Sequence, residues 1–260
     1  MSCLAVMIVD PSRAKGEPGP VDVRRPGVVA VPSGDPKCLA RWLSAAQEVS
    51  HVVVLSRPEM GRRARLLATV ASGQHPSVAV TVHVEDASQV ALVAAAHRAL
   101  ESPCEPGVGY DRIRQILATT VSGALVASVT KLNRPRPSFG QHLRSILPGG
   151  QGFVAYHGGS VVNATELSSR HPHGTGDVVL AAGAPDELTR LGGLLQRQVL
   201  PAATVGDSKA VYGHAATEFA QLGVTQADPG RECPVCQERS SASVCPFCRA
   251  VIDRESVPAQ

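Results

Sequence analysis

The first hundred residues alternate short apolar runs with longer, half-apolar stretches. Residues 5–10 (AVMIVD) form a continuous apolar run closed by an acid, the pattern of a strand buried on both faces. Residues 11–26 are rich in Pro, Gly and charge and predict a loop. Residues 27–32 (GVVAVP) predict a strand. Residues 37–49 predict a helix with Leu39, Trp42, Leu43 and Ala46 on one face. A strand over 51–56 (HVVVLS), a helix over 58–72 with proline in its first turn, and a β-branched strand over 78–84 follow. Residues 86–100 predict an Ala-rich helix, with Glu85 and Asp86 at its positive end. This β-α-β-α-β-α order predicts an α/β fold with a Rossmann-like parallel sheet covered on both faces.

The texture then changes. Residues 110–132 predict one more helix with many small residues, and 133–138 (NRPRPS) a Pro-rich linker. Beyond it, short strands are expected over 152–157, 160–164 and 177–182. A helix over 184–196 is opened by Pro185, Asp186 and Glu187. Residues 204–228 read as a weaker helical stretch. The expected organisation is a Rossmann-like unit over 1–132, a small α+β unit over 137–200, a helical connector over 201–228, and a ribbon over 229–252.

The ribbon carries the sharpest chemistry. Residues 231–250 read RECPVCQERSSASVCPFCRA, two Cys-Pro-x-Cys pairs eight residues apart. Each Cys-x-x-Cys turn presents two thiolates to one ion, so Cys233, Cys236, Cys245 and Cys248 form a tetrahedral set for structural Zn2+. A redox pair or two disulfides is the competing reading. All four ligand positions are filled by the chain, which argues against a catalytic ion.

Composition narrows the classes further. Of 260 residues, 43% are hydrophobic, 18% charged and 3% aromatic, with a formal net charge of +3 spread along the chain. The absence of a basic stripe and of aromatic stacking platforms argues against a nucleic-acid partner. The start has no basic stretch ahead of an apolar one, and no apolar run approaches the roughly 18–20 residues that span a bilayer. A soluble, cytoplasmic chain is expected. The seven cysteines, with Cys3, Cys38 and Cys104 scattered outside the ribbon, fit a reducing compartment.

Residues 138–195 resemble the C-terminal RCK domain of potassium-channel and potassium-transporter regulators. The matching pieces are a Gly-x-x-Leu helix at 140–143, a strand at 153–157, Pro172, a Gly-Asp strand at 176–183 and an acidic helix at 186–195. The resemblance implies that the upstream region is a nucleotide-binding RCK half. Residues 4–10 would then be its second strand, and 110–132 the helix through which two copies embrace. It implies an adenine nucleotide near Asp10, Gly34, Asp35 and Ser56, with Asp10 meeting a ribose hydroxyl. Read without it, Asp10 ends a strand and Gly34-Asp35 is a turn. The Gly-x-Gly-x-x-Gly turn that holds a pyrophosphate is missing, so the first β-α unit would be truncated.

The function implied is a non-enzymatic regulatory subunit, gated by ligand through a homodimer or higher oligomer. Its partner would be a membrane potassium channel or transporter subunit, holding it at the inner face of the membrane. The alternative is a zinc-ribbon adaptor or nucleic-acid-associated protein with a Rossmann-like scaffold. Two enzyme readings, a Gly-rich anion hole over 173–177 and the Lys209 and His214 pieces of a condensing enzyme, fail on context. A kinase anion hole needs a helix after the Gly-Asp, and VVLAAG reads as a strand; Cys38 sits in no nucleophile turn. The cluster Arg57, Arg62, Arg63 and Arg65 reads as a solvated face, or as a subunit contact.

Overall fold

The apolar run at the start becomes the central strand of a sheet. In a computed structural model that describes residues 3–13, 15–22, 25–46, 48–132, 134–147, 152–167, 178–225 and 230–252, β1 (Cys3–Asp10) is buried from Leu4 onward. It pairs in parallel with β3 (Arg25–Pro32) on one side and β4 (Val49–Ser56) on the other. β5 (Ala79–Val84) continues the parallel run beside β4, and β2 (Gly19–Asp22) adds an antiparallel edge outside β3. The order is β2-β3-β1-β4-β5.

Strand alternation divides this sheet's side chains between two layers. Ala5, Met7 and Val9 meet α1 (Cys38–Ala45) and α2 (Gly61–Gln74) through Leu39, Leu43, Ala64 and Leu67. Leu4, Val6 and Ile8 meet α3 (Gln89–Leu100) and α4 (Pro106–Thr119) through Val90, Leu92, Ile113 and Ile116. The parallel α/β layer is as the apolar runs predict. Two details differ. β1 pairs directly with both β3 and β4, so the sheet holds no gap between them. The expected loop over 11–26 contains β2, whose Pro and Gly suit a sheet edge.

The expected helix over 110–132 ends at Thr119, where Thr120 turns extended, and β6 (Val121–Val126) begins. Small residues here serve strand crowding. A Cβ on Gly123 would stand 2.6 Å from the Ala155 carbonyl oxygen and 2.9 Å from the Phe219 ring. β6 belongs to a second sheet with β7 (Phe153–Tyr156), β8 (Val161–Asn163), β9 (Val178–Ala182), β10 (Gln198–Pro201) and β11 (Ala216–Gln221). Its order is β10-β9-β11-β6-β7-β8, and only β9 and β10 run parallel. The intervening helices are α5 (Phe139–Ile146), α6 (Pro185–Leu195) and α7 (Ser208–Tyr212).

This topology corrects the self-contained RCK C-terminal unit over 137–200. Between β7 and β9 stand β6 and β11, one from before that span and one from after it. The expected helical connector contributes a core strand. Pro172, Gly176 and Asp177, with the histidines at 171 and 173, lie outside the described residues.

α3 joins the two sheets. Its N-cap Ser88 accepts from Ala91 N (3.1 Å) and donates to the Phe219 carbonyl of β11 (3.0 Å). Ala220, Leu180 and Ala182 of the second sheet share its apolar cluster. At the opposite end, β12 (Arg231–Glu232) and β13 (Arg239–Ser240) form the ribbon hairpin. Phe247 of the ribbon lies edge-on to His51 with centroids 4.6 Å apart, and Glu238 accepts from Gly107 N at 3.2 Å. No helix among the described residues is long and apolar enough to cross a membrane.

Candidate ligand-binding site

After β1 the chain turns toward β3, and after β4 toward β5. The carboxyl ends of β1 and β4 therefore flank a topological switch point, where open α/β sheets bind ligands. Asp10 and Ser56 end these two strands, and Gly34 and Asp35 follow β3 on the other side of β1. The three strand ends thus gather the four predicted residues along one edge of the sheet.

Their contacts are local. Asp10 Oδ1 accepts from Ser12 N (2.8 Å) and Ser12 Oγ (2.7 Å), and Oδ2 pairs with Arg13 Nε (3.3 Å). The Gly206 backbone packs directly on this carboxylate. Asp35 accepts from Lys37 N (2.9 Å) and pairs with Arg41 (2.8 Å). Those bonds hold its carboxyl below the ordinary range. The Ser56 hydroxyl is buried with no hydrogen-bond partner.

Across the switch point stands a buried polar network that the sequence pattern did not bring together. Arg57, 2% exposed, follows β4. Its guanidinium donates to the Tyr212 hydroxyl (3.1 Å), pairs with Glu59 (3.3 Å), and lies 5.3 Å from the Tyr212 ring centroid. His157, following β7, places Nδ1 3.1 Å from Asp86 Oδ1 and Nε2 2.8 Å from the Tyr212 hydroxyl. Burial pulls the His157 imidazole below its ordinary 6.5, outweighing Asp86. The hydrogen bond from His157 holds the Asp86 carboxyl down at about 2. Burial, helped by the Glu218 charge, pushes the Tyr212 phenol well above 10.

These directions assign the protons. Neutral His157 donates Nδ1–H to Asp86 and accepts at Nε2 from the Tyr212 O–H, while Arg57 donates to the Tyr212 oxygen. The relay joins the first sheet to the second and leaves no exposed nucleophile. Cys38 is equally inert, its thiol pushed by burial to about 11.

Farther along α3 the two sheets leave a seam. A half-open groove of about 630 Å3 is lined by Val93 and Ala94 of α3, Val178 and Leu180 of β9, Ala202, and Val224. Asp22, His97, Arg98 and Glu101 line it as well, with Arg98 and Glu101 paired at 2.7 Å. Val178 and Val224 are exposed at 37% and 58%, so its walls leave apolar surface bare. One turn nearer the start of α3, a cavity of about 210 Å3 is lined by Gln89, Gly183, Thr204, Asp207 and Glu218. The same strip, residues 201–208, walls both.

At the ribbon, the sulfurs of Cys233, Cys236, Cys245 and Cys248 all lie within 4.8 Å of one another, with pairs at 3.4 and 3.5 Å. A tetrahedral ZnS4 centre with bonds of about 2.3 Å has edges of about 3.8 Å, which this set brackets. Of the remaining predicted residues, Arg62, Arg63 and Arg65 are exposed while Arg57 is buried. His214 Nε2 lies 3.3 Å from Thr130 Oγ1.

Sequence finds Arg57, Asp86, His157, Tyr212 and Glu218 only weakly. A polar residue closing each of the apolar runs 51–56 and 153–156 is the one available signal, and it marks Arg57 and His157. Tyr212 and Glu218 fall in the stretch read as helical.

No protein-family model matches the chain, and no curated protein matches it. Solved structures do. A DegV family protein of Corynebacterium glutamicum superposes with a TM-score of 0.58 at 15% identity, over 88% of this chain and 100% of that one. A DegV family protein of Thermus thermophilus, described as fatty acid-binding, gives 0.57 at 17%, over 85% and 99%. One from Eubacterium eligens, loaded with heptadecanoic acid, gives 0.58 at 9%, over 85% and 100%. At these identities the likeness is one of fold. It spans both sheets, and it overturns the RCK resemblance. The potassium-channel or transporter partner, and the regulatory role drawn from it, fall with that resemblance.

Proposed function

We propose that this protein binds a ligand with a long apolar chain in the seam between its two sheets, acting as a carrier and not as a catalyst. The observation that supports it most is the groove of about 630 Å3 walled by both lobes, with Val178 and Val224 bare. That volume falls within the roughly 300–1,000 Å3 of small-molecule sites. Each methylene buried there contributes about 0.8 kcal/mol. DegV-like structures carrying fatty acids share this two-sheet architecture.

Titration with a fluorescent long-chain acyl probe tests this. The wild-type chain should bind one equivalent, and Ala94→Trp, which fills the groove, should weaken binding at least tenfold with unchanged thermal unfolding. Absence of saturable binding, or an unaffected Ala94→Trp variant, sinks the proposal.

The cysteine set supports a second, structural component. Cys233, Cys236, Cys245 and Cys248 would hold one Zn2+, which would close the two knuckles of a segment too small to fold on apolar burial alone. Metal analysis of the purified chain should give one zinc per chain, lost in Cys236→Ser.

A further inference from the structure

The four ribbon thiols differ in how far solvent reaches them, and this asymmetry has a redox consequence that rests on the zinc reading. Cys248 is exposed, Cys236 is half-buried, and Cys233 and Cys245 are buried. A metal uses all four ligands alike. An oxidant from solvent reacts with the thiolate it can reach, most effectively where a resolving cysteine lies beside it.

That second cysteine is in place across the knuckles. Cys248 Sγ lies 3.4 Å from Cys233 Sγ, and Cys236 Sγ lies 3.5 Å from Cys245 Sγ. Each pair joins one knuckle to the other. Each is about 1.4 Å longer than an S–S bond of roughly 2.05 Å. The knuckle turns are also held by the backbone. Gln237 N donates to the Cys233 carbonyl (3.0 Å) and Cys233 N to the Glu238 carbonyl (2.9 Å). Arg249 N donates to the Cys245 carbonyl (3.1 Å) and Cys245 N to the Ala250 carbonyl (2.8 Å). Exchanging the metal for sulfur–sulfur bonds leaves these turns, and the Glu238 contact with Gly107, in place.

We infer that the ribbon is a peroxide-responsive clasp in which Cys248 reacts first and Cys233 resolves it. The Cys248 thiolate attacks hydrogen peroxide and the O–O bond breaks. One oxygen stays on sulfur as a sulfenic acid, and the other leaves as hydroxide. The Cys233 thiolate then attacks that sulfur, forming the S–S bond and expelling a second hydroxide. Both hydroxides take a proton and become water, so one peroxide is reduced for each thiolate pair oxidised. A second peroxide closes Cys236 and Cys245 in the same way. With its thiolates consumed the chain no longer holds Zn2+, and the two disulfides join the knuckles in its stead.

Hydrogen peroxide added to the zinc-loaded, full-length Cys3→Ser chain tests this, since Cys3 is the exposed thiol outside the ribbon. A zinc indicator should report one ion released per chain, and dimedone added with the peroxide should tag Cys248. Peptide mapping without reductant should find Cys233–Cys248 and Cys236–Cys245. Amide protection across residues 231–252 should persist in the oxidised chain, where chelation of the reduced chain removes it. Cys233→Ser should leave the sulfenic acid on Cys248 unresolved; the mapping of the four-cysteine ribbon decides the matter even if that variant misfolds. Disulfides formed within the knuckles, as Cys233–Cys236 and Cys245–Cys248, overturn the inference while leaving the zinc reading intact. So does sulfinic acid at Cys248 with no disulfide, or zinc that stays bound. A chain that carries no zinc before oxidation overturns the zinc reading and the inference with it.

Discussion

Tyr212 stands between Arg57 and His157 in the polar network that joins the sheets. It takes a hydrogen bond from Arg57, gives one to His157, and stacks under the guanidinium. A buried phenol with a raised pKa stays protonated across the physiological range. Tyr212→Phe keeps the ring and removes the oxygen, leaving Arg57 and His157 without their shared partner. A destabilisation of about 1–3 kcal/mol is expected, read by urea unfolding. An unchanged midpoint would show that the relay contributes nothing. Sequence could not reveal this residue. In residues 208–214 (SKAVYGH) the eye goes to Lys209 and His214, whose charges are conspicuous, yet the buried and connected side chain is the tyrosine between them. Glu218 is similar, because a buried carboxylate and a solvated one are written with the same letter.

At the scale of elements, the parallel sheet was legible because both faces of its strands are covered. Residues 4–9 and 52–55 then become unbroken apolar runs that no surface helix produces. β6 and β11 were illegible for the opposite reason. Residues 121–126 (VSGALV) and 216–221 (ATEFAQ) hold small and polar residues whose strand conformation comes from crowding, as at Gly123. The ribbon was legible from spacing alone, since four thiolates answer to one ion. Its attachment was not. A Cβ on Gly107 would collide with the Arg239 carbonyl, and Asp111 accepts from Ser241 N, so α4 and the ribbon are fitted together. Chelation should expose residues 231–252 to amide exchange while β1 and β4 stay protected. Gly107→Val should loosen the ribbon with zinc still bound. Joint loss of protection in the ribbon and the parallel sheet on chelation would show one folding unit.

For the whole molecule, three histidines impose a pH dependence. Desolvation holds the half-buried His51 and His83 and the enclosed His157 ring below the ordinary 6.5. The unfolded chain therefore takes up protons first as pH falls. Their contribution is complete above 6.5 and is lost on descending through it toward the folded values. Asp86 adds stability above its unfolded 3.8, lost as pH falls toward about 2. Stability should therefore decline from about pH 6.5 downward, and His157→Asn should flatten the upper part of that decline. A midpoint constant from pH 8 to pH 5 would contradict this.

The central claim concerns where a long chain lies. A palmitoyl ligand carrying a photoreactive diazirine at its far end, bound and irradiated, would mark its own position by peptide mapping. Adducts are expected within residues 93–101, 178–180, 201–203 and 222–224, the walls of the groove. Adducts confined to α5 or to the ribbon, or none above an unbound control, would contradict the account.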